Sequence, residues 1–149
     1  MMKSKLIIQD KETGEVIFRT EKYESKMSKK VIYISGKMGE KVLSEKTIAK
    51  FNAAQARLEN KGWEVVNPAS AQFQREAERV VTMEEARWRN DKNEGDFDWY
   101  SYTLLFDLHI VAPCDAIYML SDWRDSPGAT SEHAYAKACQ KEIIYENEQ

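Results

Sequence analysis

This sequence predicts an α/β domain built on a parallel sheet, and two observations predict it. From Val31 onward, short apolar runs alternate with longer stretches of helical spacing. One run, Ala116 to Leu120, is apolar throughout. It reads as a strand covered on both faces, as in parallel sheets flanked by helices. A third feature says where function would sit. A polar, Gly-containing loop follows that run, and then a helix with Glu132 in its first turn. Carboxylates therefore stand before the strand (Asp107, Asp115), in the loop (Asp122, Asp125) and at the helix start. Loops after the C-terminal ends of parallel strands form the ligand crevice of such folds. Acidic groups delivered there suit chemistry on a sugar or an amine-rich ring.

Residues 1–29 stand apart from the rest. Lys5 to Gln9 and Glu15 to Arg19 are strand-like, and Asp10-Lys11-Glu12-Thr13-Gly14 joins them as a turn. Together they predict an N-terminal β-hairpin, followed by a polar linker to Lys30. A lone hairpin is marginal in water, so it is expected to pack on the main domain or on a partner chain.

The main domain spans 30–149. Val31 to Gly36 reads as its first strand. Ser44 can cap a helix to about Asn60, with Ile48, Phe51, Ala54 and Leu58 near helical spacing, and Lys61-Gly62 ends it. Trp63 to Val66 is a second strand, stopped by Asn67-Pro68. Residues 71–89 form a polar helix, 90–97 a charged loop, and Trp99 to Val111 an aromatic-rich helix. Strand 116–120, loop 121–128, helix 129–140 and strand Glu142 to Tyr145 complete the chain. The alternation predicts a flavodoxin-like parallel sheet of four or five strands flanked by helices.

Composition narrows the function. A chain of 149 residues is long enough to bury a real core in one main domain. The net charge is -3 and Lys and Arg are dispersed, so no nucleic-acid partner is implied. Cys114 and Cys139 make no metal or CxxC spacing, and with no signal peptide they suggest a cytoplasmic protein. No apolar run reaches membrane-span length. No metal and no cofactor is expected.

Several side chains carry two readings. Glu132 at a helix start could attack a sugar carbon; the residues alone favour the plainer role of complementing the helix dipole behind a Thr130 or Ser131 cap. Asp107 lies near the end of an apolar helix, where a negative charge is disfavoured, so it is either a substrate contact or a solvated residue. Asp115 favours a backbone-supporting role. Asp122, Asp125 and Ser126 could bind a base or hydroxyl, or form turns. Tyr33, Ser35 and Gly36 end the first strand at the same crevice edge. Tyr33 could instead be core, and Gly36 reads as a point of close approach for a ligand or backbone. His109 and His133 favour solvent-facing or structural roles. Trp88, Trp99, Tyr100 and Trp123 could stack on a base or simply bury area.

Four segments together carry a resemblance: Ile32-Tyr33-Ile34-Ser35-Gly36, Gly62-Trp63-Glu64-Val65-Val66-Asn67-Pro68, the stretch Asp107 to Leu120 with Cys114-Asp115-Ala116-Ile117, and Asp125-Ser126-Pro127-Gly128-Ala129-Thr130-Ser131-Glu132. In this order and spacing, over roughly Lys30 to Tyr145, the chain resembles the nucleoside 2-deoxyribosyltransferase superfamily. It is most similar to that superfamily's small uncharacterised, DUF4406-like branch.

The resemblance implies roles. Glu132 matches the nucleophile that attacks the anomeric carbon of a (deoxy)ribose and expels the base. Asp107 matches a pocket aspartate that assists at the base or orients the nucleophile. Tyr33 matches an aromatic hydrogen-bonding near the nucleophile. Ser35, Gly36, Asp125, Ser126 and Gly128 match the substrate-binding positions. The reaction implied is cleavage or transfer at the N-glycosidic bond of a nucleoside or nucleotide, through a covalent glycosyl–carboxylate intermediate. The alternative is a module that senses a nucleotide in the same pocket without turnover.

The chain also departs from the pattern. Lys37 stands where the branch usually has Pro. The 71–98 stretch is longer than expected and is a candidate lid. No C-terminal extension of the kind that completes a neighbouring pocket in the transferases follows Tyr145, which favours hydrolysis or binding over base exchange. Superfamily members complete their pockets across a subunit interface, so a homo-oligomer is expected, with the 99–111 helix as its interface.

Overall fold

The computed structural model describes residues 7–9, 16–19 and 29–148. The chain divides into two compact units, Met1–Lys30 and Val31–Gln149. In the first, β1 (Ile7–Gln9) pairs antiparallel with β2 (Val16–Arg19), with an irregularity in register between Ile8 and Gln9. The turn expected over Asp10 to Gly14 and most of the polar linker lie outside the described residues.

The second unit holds a four-stranded parallel sheet in the order β4-β3-β5-β6. Its strands are β3 (Val31–Ser35), β4 (Glu64–Val66), β5 (Ala116–Met119) and β6 (Glu142–Tyr145). The connecting helices are α1 (Glu45–Asn60), α2 (Ala71–Asn90), α3 (Trp99–Val111) and α4 (Pro127–Ala138). This is the flavodoxin-like arrangement, as the alternation predicts. The strand order reverses between β3 and β5, and the crevice of such sheets opens at that switch point, beyond the strands' C-terminal ends.

Local chemistry explains the boundaries. Ser44, Ser70 and Asp98 are N-caps whose side chains accept from the Thr47, Phe73 and Ser101 amides. After α1, Gly62 takes a φ of +94°, a turn conformation costly for any residue with a Cβ. After β4, the buried Asn67 builds the stop: its Oδ1 accepts from Ala69 N–H, and its Nδ2 donates to Asn52 and Gln55. At the start of β5, Asp115 Oδ2 accepts from Val31 N–H at 2.8 Å, and the Asp115 amide donates to Val31 O. That bracket sets the register of the two central strands, the structural role favoured for Asp115.

Two cores sandwich the sheet. Ile32, Ile34, Ala116, Tyr118 and Leu120 face α1 through Phe51, Ala54 and Leu58. Tyr33, Ile117 and Met119 face the other way, onto Val111, Ala129 and Ala136. Period-2 alternation along β3 and β5 sends successive residues into opposite cores. Full burial of a side chain such as Phe51 or Leu58 contributes about 2–3 kcal/mol.

The 71–98 stretch consists of a 20-residue helix packed against α3, followed by a short segment. Phe97 pins that segment by stacking on Tyr102 and meeting Trp88 and Trp99 edge-on.

Candidate functional site

Residues two apart on a strand point the same way, so Tyr33 and Ser35 both project from the far side of β3 from α1. Both reach Glu132. Tyr33 Oη donates to Glu132 Oε2 at 2.6 Å, and Ser35 Oγ donates to Oε1 at 2.8 Å. All three are buried: Tyr33 is 0% exposed, Ser35 1% and Glu132 5%. Among the described residues no arginine or lysine joins them. A carboxylate has about four lone-pair sites, so two hydroxyl donors orient it and leave the others for a substrate.

Its position on the helix corrects the sequence reading. Glu132 is not in the first turn of α4, and neither Thr130 nor Ser131 is the cap. Ser126 caps the helix through Ala129 N–H, and Pro127 takes the first position. Thr130 and Ser131 instead donate their hydroxyls to Pro127 O. The helix thus starts two residues earlier than expected, because a Ser-Pro pair is a stronger start than the threonine and serine after it. Glu132 then falls in the second turn, too far in to serve the helix terminus. The dipole explanation for this residue is gone, and a buried carboxylate remains to be explained.

The electrostatics single it out. Burial lifts Glu132 to about 7, with the Tyr33 and Ser35 hydrogen bonds pulling the other way. Asp107, in the later half of α3, is lifted to about 8, first by burial and then by the charge of Glu132. Tyr33 is held well above its ordinary value by burial and then by the charges of Glu132 and Asp107, so it stays a donor. Two acids and a phenol, carried by β3, α3 and α4, therefore sense one another. Strongly perturbed titratable groups gathered in one place are what functional sites require.

The other predicted residues divide. Gly36 follows Ser35, but its close approach is to protein: a Cβ there would come within 2.6 Å of Leu120. Ser126 is buried and spends its oxygen on the cap. Asp125 is exposed and ends a short 3-10 turn, Trp123–Asp125. Gly128 lies on α4 one turn before Glu132. Asp122 is a brace, accepting from Lys37 N–H at 3.0 Å and from Lys50 Nζ at 2.6 Å, while Lys50 also donates to Lys37 O. That brace holds the loop after β3, at the position where Lys37 replaces the expected Pro.

His133 bonds Tyr145 Oη at 2.7 Å and stacks on Trp123, a structural arrangement, and His109 is exposed. Among the described residues no group of His, Cys, Asp and Glu could hold a metal ion, and no helix is long and apolar enough to cross a membrane.

Sequence reasoning missed the donor role of Ser35, although its two-residue spacing from Tyr33 carried that signal. It also missed Phe73 of α2, which meets the Tyr33 ring edge-on at 6.4 Å between centroids. Nothing in the local pattern announces that contact.

A comparison with curated proteins found no match to this chain. A protein-family model described as Domain of unknown function (DUF4406) matches residues 30–145, taking in all four strands of the parallel sheet and the Tyr33, Ser35, Asp107 and Glu132 cluster, and the chain belongs to that family.

Proposed function

We propose that this protein breaks, or transfers across, the N-glycosidic bond of a (deoxy)nucleoside or nucleotide, with Glu132 as nucleophile. The observation that carries the reading is the buried Glu132 carboxylate, aimed by two hydroxyl donors and flanked by a second carboxyl group, Asp107, that holds its proton near neutral pH. The resemblance to the nucleoside 2-deoxyribosyltransferase superfamily supports it.

In the first step the bond from the anomeric carbon to the base nitrogen breaks, and a bond from that carbon to a Glu132 oxygen forms. Asp107 gives its proton to the departing base. In the second step water, or a second base, attacks the anomeric carbon. The Glu132 carboxylate leaves, and the incoming group's proton returns to Asp107. The two carboxyl groups divide nucleophile and acid–base work as in retaining glycoside cleavage.

The test is incubation with a panel of nucleosides and their 5′-monophosphates, with free base followed by chromatography. Base release that Glu132→Ala reduces by about a thousandfold or more supports the proposal. No release from any compound by folded protein rejects it.

One observation favours a second reading. Both Glu132 oxygens already accept a hydrogen bond, which makes the carboxylate a weaker nucleophile, so the pocket would bind a nucleotide as a sensor without turnover. Calorimetric binding that is lost in Glu132→Gln, with no product after long incubation, would select that reading.

A further inference from the structure

Two glycines flank the cluster, and only one is explained by the protein around it. Gly36 is required by Leu120, whose side-chain atoms would lie 2.6–3.1 Å from any Cβ. Gly128 has no such neighbour. A Cβ there would meet only Tyr100 Oη at 3.7 Å and Ser126 Oγ at 3.8 Å, both ordinary contacts, and its φ is not left-handed. Alanine would fit and would favour the helix. The space that glycine keeps clear lies under the hydroxyl of Tyr100.

Tyr100 is unlike the other aromatic residues nearby. It is 59% exposed, and among the described residues its hydroxyl makes no hydrogen bond. Its place in the fold is specific. Gly128 and Glu132 are one turn apart on one side of α4, about 6 Å along the axis. Tyr100 and Asp107 are two turns apart on one side of α3. α3 packs on α4. The Tyr100–Gly128 pair is thus the outer end of the arrangement whose inner end is Asp107 and Glu132, one helical turn away along α4 and two along α3.

We propose that Tyr100 is a specificity-determining residue whose phenol O–H donates to a sugar-borne oxygen of the substrate, a hydroxyl or a phosphate, in the space that Gly128 keeps open. The sugar ring lies between this contact and Glu132. The assignment rests on the N-glycosidic reading for what meets Glu132, but it makes a separate claim.

The experiment uses the full chain with the panel of nucleosides and 5′-monophosphates that tests the reaction, comparing the nucleoside that releases base fastest with its 5′-monophosphate. Tyr100→Phe should raise KM about three- to tenfold where the acceptor is a neutral hydroxyl, and more than about tenfold where it is the phosphate. In either case kcat should change by less than about twofold, since the contact is equally present in ground and transition states. Gly128→Ala should raise KM likewise while its melting temperature is unchanged or higher, a combination that a merely structural role would not give. Unchanged KM for both compounds in both variants, with an active parent protein, overturns the proposal and leaves the reaction standing. If the parent releases no base, the same compounds are titrated by calorimetry. Weakened binding in both variants then keeps Tyr100 and rejects the enzymatic reading, and no binding by the parent rejects both.

Discussion

The phenol of Tyr33 donates to the Glu132 carboxylate at 2.6 Å, across 99 residues of sequence. The bond ties a central strand of the sheet to the second turn of α4. Neither end is free to move: Tyr33 is fully buried, and Phe73 meets its ring edge-on. The carboxylate is thus oriented before any substrate arrives. Such preorganisation is what the proposed attack by Glu132 would draw on.

Removing that donor has a direction that can be stated. The Tyr33 hydrogen bond favours ionised Glu132 against the burial that opposes it. Tyr33→Phe should therefore push the Glu132 titration above about 7 and move the acid limb of the pH–rate profile to higher pH. The accompanying loss of rate at pH 7 should be on the order of tenfold. Ser35→Ala should act in the same direction through the other oxygen. Profiles that do not move would mean that the hydroxyls only fill space.

The pair of acids fixes the shape of that profile. In the proposed reaction Glu132 must lose its proton, at about 7, and Asp107 must keep its own, to about 8. Because the charge of Glu132 is one cause of the Asp107 shift, the two titrate as a coupled pair. The expected kcat/KM is a narrow bell centred between these values. Asp107→Asn should lower the rate and abolish the alkaline limb while leaving the acid limb. An alkaline limb that survives in Asp107→Asn would assign it to another group.

Much of this fold is legible in sequence because its signals are local. The apolar run 116–120, the Ser44 cap and the Asn67-Pro68 stop each act within a few residues. The same locality places the start of α4 two residues late. Thr130 and Ser131 look like caps, and only the Pro127 backbone and the Ser126 side chain show that the helix is already under way. The candidate site was legible in part. Tyr33, Asp107 and Glu132 stand in recognisable segments, but their meeting depends on strand order β3-β5 and on α3 packing against α4, which are long-range facts. Asp122 stays open in sequence because a loop aspartate serving Lys50 and the Lys37 amide has the same local appearance as one serving a ligand.

Gly36 offers a test of packing. Gly36→Ala places a Cβ against buried Leu120 and should destabilise the fold by about 1–3 kcal/mol. Leu120→Ala alone should cost about 2–5 kcal/mol through the cavity it leaves. Since each change relieves the other, the double variant should be more stable than the sum implies, by more than about 0.5 kcal/mol in denaturant titrations. Simple additivity would show that Gly36 has another reason to be glycine.

A homo-oligomer remains the expected assembly, with α3 as its contact. On that helix Leu105 is 61% exposed and Trp99 39%. Large apolar side chains left exposed on one helix motivate the expectation. Light scattering at tens of micromolar should give a multiple of 17.3 kDa, and Leu105→Glu should reduce it to the monomer. A monomeric parent protein would refute the assembly.

The buried acids should also set how stability depends on pH, and in the opposite sense to ordinary surface carboxylates. Glu132 has a folded value of about 7 against 4.5 for the free group. Between those values the unfolded chain has released a proton that the folded chain still holds. The folded state binds more protons, so its stability falls as pH rises through this window. The contribution is fully present below 4.5 and lost as pH passes about 7, at roughly 3 kcal/mol from the Glu132 shift. Asp107 extends the window to about 8, coupled to the first rather than added to it. The parent protein should therefore melt at a lower temperature at pH 8.5 than at pH 5. Glu132→Gln cannot ionise, and its amide oxygen still accepts from one hydroxyl while the other hydroxyl can turn to accept from its NH2. Its melting temperature should change less over the same range and should exceed that of the parent at pH 8.5. Parallel curves for the two proteins would show that Glu132 is ionised throughout, and with that the acid limb assigned to it in the rate profile would have to come from elsewhere.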